Sequence, residues 1–389
     1  MNGTGGALSA DSGAGGDSGA DAGTDGGGSD FKPRLLIDLG DECNTPDGMR
    51  KDPKSMDIIL SCPNFFGKTA DGGFTSPPKL MKLTPANRLE PYFSDLPASP
   101  VSPGRAGPMG LDFGPDGNLY VADHQYRYST DYKSRIIRVN VDANGRPTTA
   151  DVVVIGTRLS NAVMWSKDYL YLTDTWAYDG ADQGKSLIYR FSKAELAMAT
   201  TASPIQVARP SLAAEGGTPD PHLFAKFTTI PGRGVNLAGA DGITFDAQGN
   251  LYTGNFGDGI ITKITFDASG NLATQTEFVK DSNMTCADGI FFDSKTSQIY
   301  VTDSQKNAIR VISPTGALTT LWENDNTDGT DGLLDQPAEP IIRGDELILA
   351  NFDAGFGAPP QNEAGVATQT AGKNTMSDPP HTLSVIKLR

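Results

Sequence analysis

The chain has 389 residues, with 47 Asp and Glu against 32 Lys and Arg for a net charge of -15, 38% hydrophobic residues, three cysteines and three histidines. An acidic balance of this size argues against a nucleic-acid partner, which needs a basic stripe to displace counterions, and it suits bound cations. No apolar run approaches the roughly 18 to 20 residues that a membrane-spanning helix requires.

Residues 1–30 are almost entirely Gly, Ala, Ser, Thr and Asp, and their five aspartates (Asp11, Asp17, Asp21, Asp25, Asp30) face no Lys or Arg there. A segment of this composition buries too little apolar surface to offset its chain entropy, so it is expected to be a disordered tether. It resembles the spacer that follows the lipidated cysteine of bacterial surface lipoproteins. That likeness implies a periplasmic, cell-surface or secreted protein, with a lipid anchor lost from the N-terminus. Residues 31–389 are read as one domain, expected to be monomeric. Cys43 and Cys62 flank one predicted hairpin and could bridge in an oxidising compartment, while Cys286 leaves an odd count.

A repeated unit sets the fold class. Gly110-Leu-Asp-Phe-Gly-Pro-Asp-Gly-Asn-Leu-Tyr-Val-Ala-Asp123 matches Gly242-Ile-Thr-Phe-Asp-Ala-Gln-Gly-Asn-Leu-Tyr-Thr-Gly-Asn255, each reading as strand, tight turn, strand. Weaker copies begin at Asp47-Gly48, Asn161-Ala162, Asp288-Gly289 and Glu339-Pro340. The starts at 47, 109, 161, 241, 288 and 339 predict an all-β fold, a six-bladed β-propeller, with a Pro- and Gly-rich insertion between about 193 and 222. Outer strand pairs follow most hairpins, as at Ile260 to Phe266 with Leu272 to Val279. The last blade has only Thr382 to Leu388, so Arg34 to Leu39 is expected to supply its missing strand and close the ring.

In a propeller the residue just before each innermost strand points toward the axis. Those residues are Asp47, Met109, Asn161, Asp241, Asp288 and Glu339. Carboxylates gathered in a narrow channel repel one another unless a cation sits among them, and oxygen-only ligands select a hard ion, calcium before magnesium. Asp-Gly before a strand is also a common turn, so Asp47, Asp241 and Asp288 could each be a turn former; that preference does not explain Asn161 or Glu339.

Ser160-Asn161-Ala162-Val163-Met164-Trp165-Ser166, the ending Tyr171-Leu172-Thr173-Asp174 and Ala240-Asp241-Gly242-Ile243 resemble blade starts and ends of the gluconolactonase and regucalcin family of six-bladed propellers. Glu339-Pro340 takes the place of the family's Glu-Gly-Pro segment if the ring is circularly permuted. The resemblance implies Glu339, Asn161 and Asp241 as ligands of Ca2+ (another divalent cation being an alternative), and a calcium-dependent hydrolase of a lactone or related ester. Gly107-Pro108-Met109-Gly110 replaces the Arg and Asn of the family's lactonases, so their sugar-lactone pocket is not reproduced.

In such a hydrolase the cation polarises the carbonyl and a carboxylate takes the proton of the attacking water; Asp241 is expected in that role, with Asp288 next. Asn64, His124, Trp176, Asn255, Gln305 and Asn351 are expected to form a substrate-binding ring above the metal, walled by loops at 65–78, 124–133, 175–184 and 354–380. Trp176, Phe256 and Phe352 either stack on a small-molecule substrate or roof the channel. The alternative function is a non-catalytic propeller that binds a ligand or partner and keeps calcium as a structural staple. A quinone-dependent redox propeller ranks last, because it needs a basic, His-rich channel mouth. No nucleophile elbow, phosphate loop or Cys/His metal spacing is present.

Overall fold

The structure is a computed structural model that describes residues 31–66, 74–178, 183–210, 219–234, 236–325, 327–353 and 379–388. Residues 1–30, residues 67–73 of the loop at 65–78, residues 179–182 of the loop at 175–184 and most of the loop at 354–380 lie outside the described residues. The strands form six sheets, one per blade, and each predicted hairpin supplies the two innermost strands of one sheet.

Blade 1 comprises Met49–Lys51, Ile58–Cys62, Lys79–Leu83 and Leu89–Phe93, and blade 2 Pro108–Phe113, Leu119–Asp123, Ser134–Val141 and Pro147–Thr157. Blade 3 comprises Ser160–Ser166, Tyr169–Asp174, Lys185–Ser192 and Leu223–Thr228, and blade 4 Ala240–Phe245, Leu251–Asn255, Ile261–Phe266 and Leu272–Val279. Blade 5 comprises Ile290–Asp293, Gln298–Asp303, Ala308–Ile312 and Leu318–Glu323. Blade 6 comprises Pro337–Arg343, Glu346–Asn351 and Thr382–Lys387, and its outer strand is Arg34–Asp38 from the start of the described chain. Pairing of Arg34 with Val385 and Asp38 with Thr382 closes the ring as expected, and Leu39 extends it by donating its N–H to the His381 carbonyl at 2.7 Å.

The burial pattern follows from this stacking. Second strands are covered on both faces by neighbouring blades, so Ile58–Cys62 and Leu119–Asp123 are buried throughout, whereas the outer Leu272–Val279 exposes its consecutive residues Ala273 to Glu277. The core is a set of seams between blades. Ile59, Leu80, Leu111 and Val121 fill the seam between blades 1 and 2, and Tyr171, Ile188, Ile243 and Ile264 fill that between blades 3 and 4.

Every first strand begins with a β-bulge at the hub. In blade 2, Met109 and Gly110 lie between the pairs Pro108 with Asp123 and Leu111 with Val121, so two residues face one; the same slip occurs at Ser160/Val163, Ala240/Ile243 and Pro337/Pro340. In blades 1 and 5 hydrogen bonds trace it: Asp47 N donates to Ser61 O while Ser61 N donates to Gly48 O, and Asp288 N donates to Thr302 O while Thr302 N donates to Gly289 O. A bulge bends the strand and re-aims its side chain, here toward the axis. The second bulge residue packs on the next blade: a Cβ on Gly48 would stand 2.6 Å from Met109 O, and one on Gly110 2.7 Å from Ala162 Cα. Gly48, Gly110, Gly242 and Gly289 all lack positive φ, so close approach of backbones, and not a turn, requires glycine there.

Two features were not expected from the sequence. The insertion within blade 3, between its third and outer strands, holds a short helix, Lys193–Met198, started by a capping box between Ser192 and Glu195, and then a strand, Ile205–Gln206, that pairs in parallel with the outer strand of blade 2. Second strands also end on a ring of buried polar residues that hold the loop entering the blade. Asp123 accepts the Gly107 N–H, Asp174 those of Arg158 and Leu159, and Asn351 that of Asp335. In blade 1 this place belongs to Cys62, and a disulfide to Cys43 ties down the entering loop instead.

Gly242→Ala is expected to cost about 1–3 kcal/mol of stability by overpacking the hub, seen as a lower midpoint in denaturant, because its Cβ would meet Ile290 N at 2.8 Å. Thiol titration is expected to find none in the native protein, one (Cys286) after unfolding without reductant, and all three once Cys43–Cys62 is reduced.

Candidate functional site

The hub bulges aim Asp47, Met109, Asn161, Asp241 and Asp288, each from a different blade, into one cavity of about 60 Å³ at an end of the channel. That is room for a small ion with a few waters. A second tier comes from residues just past the second strands: Phe256, Ser304, Gln305 and Phe352, with Gln336 from the loop entering blade 6. No Lys, Arg or His is among these lining residues.

The electrostatics are those of buried, mutually repelling acids. Burial raises the Asp47 carboxyl to about 7, with the Gly48 N–H opposing weakly. Burial and then the neighbouring Asp47 push Asp241 well above the usual carboxylate range. Asp288 is raised by burial and by Asp241, Asp47 and Glu339, against one hydrogen bond from Ser304. Three carboxyls so placed cannot all ionise at neutral pH without a cation among them. Their oxygens and the Asn161 amide form a hard donor set that fits calcium. Among the described residues no three His, Cys, Asp or Glu side chains already stand close enough to hold a metal ion, so binding would draw these donors inward.

Glu339 is placed differently from the other hub residues. It is the second residue of its bulge, the place taken by glycine in blades 1, 2, 4 and 5, and Ala338 stands at the first. Its carboxylate lies over Gly289 and outside the cavity lining. Burial raises its pKa, Arg50 lowers it, and the charges of Asp47 and Asp241 add to the rise. It is therefore within electrostatic reach of Asp47 and Asp241 without lining the cavity.

Of the residues expected to ring the mouth, Gln305 lines the cavity. Asn64, Asn255 and Asn351 are turned into the fold. The Asn64 amide accepts from Asn44 N and donates to the Glu42 and Pro77 carbonyls. The Asn255 oxygen accepts from Gly257 and Asp258 N–H, and Asn351 Nδ2 donates to Thr382 and Ser384. The sequence expectation missed this because Asn255 and Asn351 end their strands, whereas Ser304, Phe256 and Phe352 sit one residue further on and face the cavity. Tyr-x-x-Asp endings at Asp123, Asp174 and Asp303, matched by Tyr252 to Asn255, carried the signal for a structural ring.

His124 is buried, its Nδ1 has no hydrogen-bond partner, and burial with the nearby Arg127 lowers its pKa to about 3, so the ring is neutral. Its ring meets Phe65 edge-on at 5.6 Å. Trp176 is half-buried and stacks on Tyr126 with ring centres 5.9 Å apart.

No protein-family model matches the chain, and no curated protein is detectably similar to it in sequence. Solved structures are similar in fold. The calcium-binding protein regucalcin of Agrobacterium tumefaciens superposes with a TM-score of 0.52 at 14% identity, over 92% of this chain and 96% of that one. A gluconolactonase of Xanthomonas campestris gives 0.51 at 13% identity over 92% and 95%. The PQQ-bound aldose sugar dehydrogenase of Streptomyces coelicolor also gives 0.51, at 14% identity over 93% and 99%. At such identities the likeness extends to architecture, and one architecture here serves three different chemistries. The chain is a six-bladed β-propeller whose fold is that of the gluconolactonase- and regucalcin-like structures.

Proposed function

We propose that the axial cavity is the active site of a calcium-dependent hydrolase of a lactone or related ester. The observation that carries this reading is the convergence of Asp47, Asp241, Asp288 and Asn161, from separate blades, on one open cavity whose described lining has no basic side chain. Asn161 and Asp241 would hold the cation from the cavity, with Glu339 drawn in from outside its lining. When bound, calcium polarises the carbonyl under attack and stabilises the negative charge that develops on its oxygen.

The chain's own groups do the rest. Asp241, with Asp288 beside it, accepts the proton of the attacking water as its oxygen bonds to the carbonyl carbon, and returns that proton to the departing alkoxide. The Ser304 hydroxyl donates to Asp288 and orients it. Trp176 contacts the substrate at the mouth, on a face fixed by its stack with Tyr126. The neutral His124 lies behind this wall, while Asn64, Asn255 and Asn351 keep the loops in place. The Cys43–Cys62 disulfide supports an exported protein, because such bonds persist in oxidising compartments.

Asp241→Ala is expected to abolish calcium binding in calorimetry and to lower ester or lactone turnover by about 10²–10⁴-fold; an unchanged rate removes Asp241 from the mechanism. A chelator should stop the wild-type enzyme and added calcium should restore it. Calcium binding without turnover of any ester would make the propeller a binding module.

The pH dependence of stability has a definite sign. Asp47 binds its proton more tightly folded, at about 7, than in the unfolded chain, where an aspartate titrates near 3.9. Calcium-free protein therefore keeps this contribution at low pH and loses it as pH rises through 7, the unfolded state holding fewer protons over that range. Melting temperatures of chelated protein should fall between pH 5 and about 8, and Asp47→Asn should flatten that slope.

A further inference from the structure

The first residues of the hub bulges are, in blade order, Asp47, Met109, Asn161, Asp241, Asp288 and Ala338. All but Ala338 line the cavity, where four of them offer oxygen and Met109 offers a thioether. Asp241 is only 3% exposed, and its carboxylate accepts no hydrogen bond from any described residue, so a buried acceptor looks into the cavity unsatisfied. A carboxylate in that state calls for a cation beside it. Blade 2 answers differently from its neighbours. Met109 stands between Asp47 and Asn161, and no other residue of blade 2 lines the cavity; the outer tier of Ser304, Gln305 and Gln336 comes from blade 5 and the loop entering blade 6.

Met109 is also fixed in place. It is 6% exposed and belongs to one hydrophobic cluster with Phe65, Ala338 and Phe352, and Gly48 and Gly110 leave its backbone no room to shift against blades 1 and 3. A cation entering the cavity draws oxygen donors inward, and at blade 2 there is none to draw, because a thioether is a soft, weak acceptor that hard ions pass over.

We infer that Met109 keeps one coordination position of the bound cation free of protein, leaving the blade 2 side to water. The inference rests on reading the cavity as a calcium site, and it adds which blade leaves the ion open. An unfilled position separates a cation that takes part in chemistry from one that only fastens a ring. The space suffices, since about 60 Å³ admits a small ion with a few waters. A carboxylate at this place, as in blades 1, 4 and 5, would fill the gap and tighten the site. Met109 thus lowers calcium affinity and keeps the ion accessible.

The test replaces calcium by europium(III) in the full-length protein and compares luminescence lifetimes in light and heavy water, which count the water molecules on the ion, alongside calorimetric calcium titrations. The wild-type ion is expected to carry at least one water. Met109→Asp should remove one water and lower the calcium Kd at least about 10-fold through its added charge. Met109→Asn, which repeats the amide of Asn161, should also remove one, and it decides the matter should the aspartate variant fail to fold. Met109→Leu brings no donor and should keep the wild-type count. A wild-type ion without water overturns the inference, as does a count that neither Asp nor Asn lowers, or that Leu lowers equally. Should the wild type bind neither ion, or Asp241→Ala leave europium bound, the calcium reading fails and the inference with it. The expected counts without turnover of any ester or lactone sink the hydrolase reading alone and leave the inference standing.

Discussion

The structure depends on the contact that each inner strand makes with the next at the hub. A bulge in every first strand turns one residue to the axis and lays the following residue against the neighbouring blade. Where that second residue is glycine, backbones touch directly: Gly242 N donates to Asp288 O, and Gly289 N to Ala338 O. Because adjacent blades meet through backbone, the channel is narrow. Because the bulge re-aims one side chain per blade, what fills the channel is decided by those side chains alone.

The acidic hub is costly in itself, since Asp241 and Asp288 share one cavity with Asp47, Asp47 raises the proton affinity of Asp241, and both raise that of Asp288. Natural folds keep such arrangements where a cation or a reaction needs them. The surrounding rigidity makes this tolerable. Asp123 is held by Arg135, Gln125 and the Gly107 N–H, and Asp174 by two backbone N–H groups, so the loops entering blades 2 and 3 are clamped beside the axis. Cys62 does the same for blade 1 by a covalent bond to Cys43.

Two kinds of buried or half-buried polar residue therefore coexist and look alike in composition. Asp123, Asp174, Asn255, Asp303 and Asn351 end second strands; hydrogen bonds to backbone N–H groups engage Asp123, Asp174, Asn255 and Asn351, and Asp303 is paired with Arg310. Asp47, Asn161, Asp241 and Asp288 open first strands and face the cavity. Asn255 and Asn351 were expected to face a ligand because they sit near the right end of the right strands. One residue of register separates a loop clamp from a cavity wall, as Asn255 and Phe256 show.

The amino-acid sequence alone determined the blade count, the hairpin positions, the pairing of Arg34–Asp38 with the last blade, and the gathering of Asp47, Asn161, Asp241 and Asp288, because period-2 burial and repeated turn residues are local patterns. Tertiary structure decided the rest. Glu339 lies one place beyond the hub position because its bulge starts at Ala338, which depends on how Pro337 and Pro340 register on Asn351 and Leu349. The strand Ile205–Gln206 joins blade 2 although it interrupts the sequence of blade 3, through a pairing set by the edge it meets and not by its own two residues. Whether a side chain reaches the axis or a backbone N–H is fixed by inter-blade contact, which no single repeat encodes.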